Sequence, residues 1–130
     1  MTNGDTGWPI KYLLTKVIKL NNFIFYVIHK FPKDRSVSTI RIIIGLPGDQ
    51  IEIADGKVVI NNKLLNEDYP LEGTTKPGKF LQKKRTKIPK DSYVVMGDNR
   101  AESKDSREWD YLNAKDIESK YLFWYWNCNN

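Results

Sequence analysis

Behind the apolar run Tyr93-Val94-Val95-Met96 comes Gly97-Asp98-Asn99-Arg100-Ala101-Glu102-Ser103-Lys104-Asp105-Ser106-Arg107. A hydrophobic strand entering such a stretch of Gly, Asp, Asn, Ser and Arg can continue neither as a strand nor as an amphipathic helix. It has to turn, and its polar groups have to satisfy one another. Asp105 and Arg107 stand two residues apart, close enough for a local ion pair that stiffens the loop. Taken alone, such a stretch also fits a solvated surface loop.

Around this loop the chain reads as mainly β. Segments 11–19 and 23–29 are rich in β-branched and aromatic residues and are separated by Asn21-Asn22. They predict two strands with a turn between them. Phe31-Pro32-Lys33-Asp34-Arg35 breaks the pattern, and 37–44 is the next strand. Leu46-Pro47-Gly48-Asp49 is a turn, since Pro fixes φ and Gly can supply a positive φ. Ile51 and Ile53 alternate with polar residues, Asp55-Gly56 signals a hairpin, and 58–60 returns. Asn61-Asn62 turns into Leu64-Leu65, and 67–89 is expected to be a long, partly mobile connection with one short strand. Strands at 93–96 and 121–126, with a helical turn at 113–117, complete the reading. In the final strand Leu122, Trp124 and Trp126 share one face, and Tyr121, Phe123 and Tyr125 the other. One face is expected in a core, the other at a bilayer interface.

Composition narrows the function classes. The chain has 130 residues, 40% hydrophobic and 28% charged, which suits one folded domain with its own core. A net charge of +5 fits an anionic surface such as a membrane or cell wall. It would fit nucleic acid too, but no nucleic-acid motif is present, and Lys83-Lys84-Arg85 with Lys87 reads as a solvated cluster. The single cysteine, Cys128, excludes an internal disulfide. His29, the single histidine, has no companion ligands, so no metal site and no cofactor is expected. No stretch reaches the roughly 18 to 20 apolar residues of a membrane span.

Two motifs carry a resemblance. Met96-Gly97-Asp98-Asn99-Arg100 followed by Ser103-Lys104-Asp105-Ser106-Arg107 resembles the last signature box of type I signal peptidases. Arg41-Ile42-Ile43-Ile44-Gly45-Leu46-Pro47-Gly48-Asp49 resembles the box in which that family carries Lys-Arg-x-Ile-Gly-Leu-Pro-Gly-Asp. Their order and separation agree, and Phe123-Trp124-Tyr125-Trp126 resembles the family's aromatic final strand. The resemblance implies a signal-peptidase-like fold of antiparallel sheets with hairpin extensions and little helix. It also implies a single ectodomain over 1–130, held at the extracellular face of the membrane by an anchor upstream of the first box.

The resemblance breaks at the chemistry. The family pairs a serine nucleophile with a lysine base, which must be neutral to take the serine proton. Its first box, Gly-Asp-Ser-Met-x-Pro, matches Gly4-Asp5-Thr6-Gly7-Trp8-Pro9 through Gly4, Asp5 and Pro9. Thr6 then takes the nucleophile position, and a one-residue slip would put Asp5 there. There is no serine before Ser36 and no lysine between Lys33 and Lys57, and Arg41 stands at the lysine position. A guanidinium stays protonated and cannot act as a base. Asn21-Asn22 replaces the Gly-Asp of the family's middle box.

These departures lead the residue-level reading to a pseudo-enzyme: a non-catalytic protein that binds an extended peptide or protein client. By the resemblance it would be a chaperone or scaffold for surface-pilus assembly, with a pilin or the sortase as client and the membrane surface as a second partner. A homodimer stays open. Arg41 is expected to need either an exit to water or a carboxylate from Asp5, Asp98 or Asp105, with Ser103 accepting a further hydrogen bond from it. Asp105 and Arg107 would hold the loop, Gly7 would line the groove, and Trp8 would either wall it or cover the core. The alternative is an active signal peptidase using Thr6 and an unrecognised base.

Overall fold

The computed structural model describes residues 23–31, 34–67, 71–81 and 85–124. In chain order, β1 (Phe23–Phe31) and β2 (Asp34–Gly45) form a long hairpin. Strands β3 (Gln50–Ala54), β4 (Lys57–Ile60) and β5 (Lys63–Leu64) form a meander, and β6 (Thr86–Lys87) is a short strand in the polar connection. Then come β7 (Ser92–Met96), the one-turn helix α1 (Ser106–Trp109) and β8 (Leu112–Asn113). A 3₁₀ turn at Ala114–Asp116 leads into β9 (Ile117–Trp124).

The strands make two antiparallel sheets, ordered β9-β1-β2-β7-β8 and β5-β4-β3-β6. Mainly β with little helix is what the sequence predicts. The Asp55-Gly56 turn between β3 and β4 has φ of 51° and 76°, the doubly left-handed geometry a two-residue hairpin loop asks for. The last strand starts four residues before the sequence-based boundary, at Ile117. Helix α1 was not anticipated. Segments 11–19 and 21–22, the dyad-box positions Asp5 and Thr6, Gly7, Trp8, Lys83, Lys84 and Cys128 lie outside the described residues, as do the aromatic side chains of the final strand.

The unbroken apolar run of β2 has its explanation in two cores. Ile42 and Ile44 face one side of the larger sheet, with Val94 and Met96 from β7, and pack on Ile51, Ile53 and Val58 of the smaller sheet. Ile43 and Val95 face the other side, where Val27, Trp109 and Leu112 cover them. A strand buried on both faces needs no alternation. A bulge between Ile43 and Gly45 shifts the phase, which brings Leu46 to the same side as Ile43. Each fully buried side chain of this size contributes about 1.5–3 kcal/mol relative to exposure. The result is a rigid β2–β7 pair, from which the loop after Met96 is hung.

Candidate functional site

The loop at 97–107 is a closed polar knot. Asp105 is fully buried, and its carboxylate accepts from Arg107 Nε and Nη2, both at 2.8 Å. It also accepts from the backbone N–H groups of Gly97 and Arg107, both at 3.1 Å, and the second of these caps α1. Ser106 Oγ accepts from Val95 N–H at 2.9 Å, which ties the helix to β7. Gly97 has no Cβ because Ser103 Oγ fills that space. The local ion pair expected from the sequence is therefore present, with every lone pair directed at a donor.

A second buried cation joins the loop to the smaller sheet's side of the molecule. Arg100 is only 2% exposed and forks onto Glu67, with Nη2–Oε1 at 2.7 Å and Nη1–Oε2 at 3.1 Å. It also donates to Thr75 Oγ1 and to the Gly97 carbonyl, while Arg107 Nη1 donates to the Arg100 carbonyl at 3.0 Å. The motif that contains Arg100 names no partner for it. Glu67 lies 33 residues away, and no local pattern announces such a pair.

Arg41 sits where β2 meets this loop. Val27 lies opposite it on β1, and the pairing of β2 with β7 begins one residue later, at Ile42 and Met96. Its Nη1 donates to Thr39 Oγ1 at 2.6 Å and to the Ile40 carbonyl at 2.8 Å; its Nη2 donates to the Lys104 carbonyl at 3.1 Å. Nε is buried and has no partner. Burial pushes the guanidinium below its ordinary range; Asp105 and Asp98 pull the other way, and Arg107 adds to the depression.

Two expectations are corrected here. Among the described residues no carboxylate pairs with Arg41: Asp105 is committed to Arg107, and Asp98 is exposed and makes no ion pair with it. Ser103 does not accept from Arg41 either; its hydroxyl donates to the Asn99 carbonyl at 2.7 Å. Asp5, the other candidate, lies outside the described residues; among these, two carbonyls and a threonine hydroxyl hold the guanidinium.

Behind Arg41 lies His29, fully buried, with its ring centroid 5.6 Å from that of Trp109. Trp109 Nε1 donates to the same Lys104 carbonyl that holds Arg41. His29 Nδ1 lies 2.9 Å from the Lys30 carbonyl and so carries the proton, which leaves Nε2 bare and unpartnered. Burial lowers its pKa first. The Lys30 carbonyl opposes that, Arg41 reinforces it, and Asp116 and Glu118 oppose it. No group of His, Cys, Asp and Glu suited to a metal occurs among the described residues.

The sequence model of the family described as "Signal peptidase, peptidase S26" matches residues 15–126. The chain is 36% identical over 90 residues to a signal peptidase I of Leptolyngbya laminosa, covering 69% of this chain and 42% of that protein. It is 31% identical over 109 residues to signal peptidase IB of Staphylococcus aureus (strain Mu50), covering 74% and 57%. In structure it resembles a signal peptidase I from Enterococcus faecalis V583, with TM-score 0.62 and 26% identity over 78% of this chain and 96% of the other. The chain spans about half the length of the relatives it matches in sequence.

These findings overturn the expectation of a pseudo-enzyme and of a non-catalytic scaffold for pilus assembly. The relatives named above bear the name of a signal peptidase I or IB. The reading from residues weighed the two altered dyad positions above the similarity of the whole chain, and the alternative, a peptidase, fits better. With the family match running over most of its length, this chain belongs to the signal peptidase family, peptidase S26.

Proposed function

We propose that the chain is the peptide-hydrolysing unit of a signal peptidase I, acting on a segment that lies extended along β2. The observation that carries this is the second edge of β2, which is unpaired before Ile42 among the described residues. Among the described residues, Asp34 and 38–41 pair with β1 across an irregularity at 35–37, and pairing on the other side starts at Ile42. Among the described residues nothing pairs with the second edge of 38–40, a lane that ends at the rigid 97–107 loop. Val37 and Ile40, on this stretch, are about half exposed, at 48% and 49%. An open edge with apolar side chains exposed along it suits β-augmentation by a peptide. The names of the relatives support the reaction class.

In this reading Thr6 is the attacking hydroxyl and Gly7 and Trp8 belong to the groove, on the motif match that runs through Gly4, Asp5 and Pro9. Arg41 cannot take the hydroxyl proton, so the base is another group, and Arg41 supplies positive charge beside the peptide lane. The reading also places the unit at the outer face of a membrane, with an anchor N-terminal to the first box and a peptide client entering from the bilayer. No described helix is long and apolar enough to cross a membrane.

The test is cleavage of a secretory pre-protein in detergent–phospholipid micelles, followed by mass spectrometry. A single cut at the end of the signal sequence that disappears in Thr6→Ala is expected. No cut at all would end the peptidase reading, and a cut that survives Thr6→Ala would end the role of Thr6.

A further inference from the structure

The β3–β4 hairpin turn, Leu65 behind β5 and the segment 71–75 surround a cleft of about 500 Å³. Clefts of about 300–1,000 Å³ are of the size that takes small ligands. Backbone hydrogen bonds frame this one. Thr75 N–H donates to the Gly56 carbonyl at 2.9 Å, and Glu72 N–H donates to the Asp98 carbonyl at 2.9 Å. The fit at the turn is close, since a Cβ on Gly56 would come within 3.1 Å of Thr74 Cβ.

The lining has a definite chemistry. Leu65 and Leu71 are half-buried, pack against the core of Ile51, Ile53 and Val58, and give the cleft apolar walls. Thr75 is only 2% exposed, and its Oγ1 accepts from Arg100 Nη1 at 3.0 Å, which leaves the hydroxyl proton to donate. Thr74 adds a second hydroxyl. Lys57 adds an exposed ammonium that makes no ion pair among the described residues. Glu67 also lines the cleft, but its carboxylate is already matched by the Arg100 fork. Apolar walls, two hydroxyl donors and an unpaired cation suit an apolar chain that ends in an anion.

We infer that this cleft binds an aliphatic monocarboxylate, and that its occupancy stiffens the 97–107 loop through Arg100. Glu67 and Thr75 both line the cleft and both hold the Arg100 guanidinium. Arg100 Nε in turn donates to the Gly97 carbonyl at 2.8 Å, and the Arg100 carbonyl accepts from Arg107 at 3.0 Å. A ligand that orders Glu67 and Thr75 therefore restrains the base of the loop. The site is separate from the β2 edge, and neither binding nor loop order depends on the peptidase reading.

The experiment titrates octanoate into the intact protein by calorimetry, with 1-octanol as the uncharged analogue. Octanoate is expected to bind at least about tenfold more tightly than octanol, in keeping with a charge-assisted contact. The double variant Lys57→Gln, Thr74→Val should bring octanoate down to the level of octanol. Both residues are exposed, and circular dichroism establishes that the variant is folded. Hydrogen exchange followed by mass spectrometry should slow over 97–103 when octanoate is bound, and the slowing should vanish in the double variant. No binding, equal binding of acid and alcohol, or a preference that survives the double variant would overturn the site. Unchanged exchange over 97–103 at saturating octanoate would overturn the coupling. Pre-protein cleavage is scored separately: octanoate binding without cleavage sinks the peptidase reading alone, and cleavage without octanoate binding sinks this inference alone.

Discussion

The Arg107 guanidinium closes on the Asp105 carboxylate through two hydrogen bonds of 2.8 Å, and the backbone N–H of Gly97 is held by that same carboxylate at 3.1 Å. One buried ion pair thereby fixes both ends of the loop that borders the β2 edge. Desolvating two charges is costly, but here the remaining lone pairs are also satisfied, so the pair holds shape more than it adds stability.

Removing one partner exposes that dependence. Asp105→Ala strands the Arg107 charge and leaves the Gly97 and Arg107 amides without an acceptor. A loss of about 3–5 kcal/mol in urea-unfolding free energy is expected. A loss below about 1 kcal/mol would show that the loop is held some other way.

The Arg100–Glu67 fork is the other buried pair, with side-chain exposures of 0% and 9%. Arg100→Met is expected to destabilise by several kcal/mol, because it leaves Glu67 without its fork. It should also speed amide exchange over 97–103 while leaving the β3–β4 hairpin protected. The double variant Arg100→Met, Glu67→Leu should recover part of the loss, since the carboxylate that lost its fork is gone. Purely additive losses would show that the two residues are not coupled.

His29 predicts an acid-sensitive fold. Its folded-state pKa is depressed by burial and by Arg41, against the Lys30 carbonyl and the carboxylates of Asp116 and Glu118. The unfolded chain then binds the proton more readily than the folded one. Stability is therefore full above the ordinary histidine value of about 6.5 and falls as pH drops from there towards the folded pKa. The melting temperature should decline between pH 8 and pH 5, and His29→Phe should flatten that decline. An equal slope in both proteins would assign the effect to other groups.

What was legible in the sequence had a local signature. The β3–β4 hairpin is written in Asp55-Gly56, and the Asp105–Arg107 pair in a spacing of two. Helix α1 was hidden because four residues give no periodicity; it exists through the Asp105 cap and the burial of Trp109. Arg100 and Glu67 meet only through the fold. For Arg41, neither Asp98 nor Asp105 supplies the expected carboxylate, because Asp105 is taken by Arg107; the strand's own carbonyl and the loop's carbonyl hold the guanidinium instead of those two. The departures at Thr6 and Arg41 are local as well, and their weight against the whole-chain similarity could not be judged from the two positions themselves.

The β2 edge gives the last prediction. Val37 and Ile40 are about half exposed, on the stretch of β2 whose second edge is unpaired among the described residues. Substituting lysine there buries no charge, so stability should change by no more than about 0.5 kcal/mol. A peptide laid along the edge would nonetheless lose apolar contact at both positions. If β2 is the substrate strand, Val37→Lys and Ile40→Lys should each raise the KM for pre-protein cleavage several-fold, with a smaller effect on kcat. Leu64→Lys, at a residue 60% exposed on β5 of the other sheet, should leave both parameters unchanged. Matching kinetics in all three variants would remove β2 as the docking strand and move the peptide to another surface.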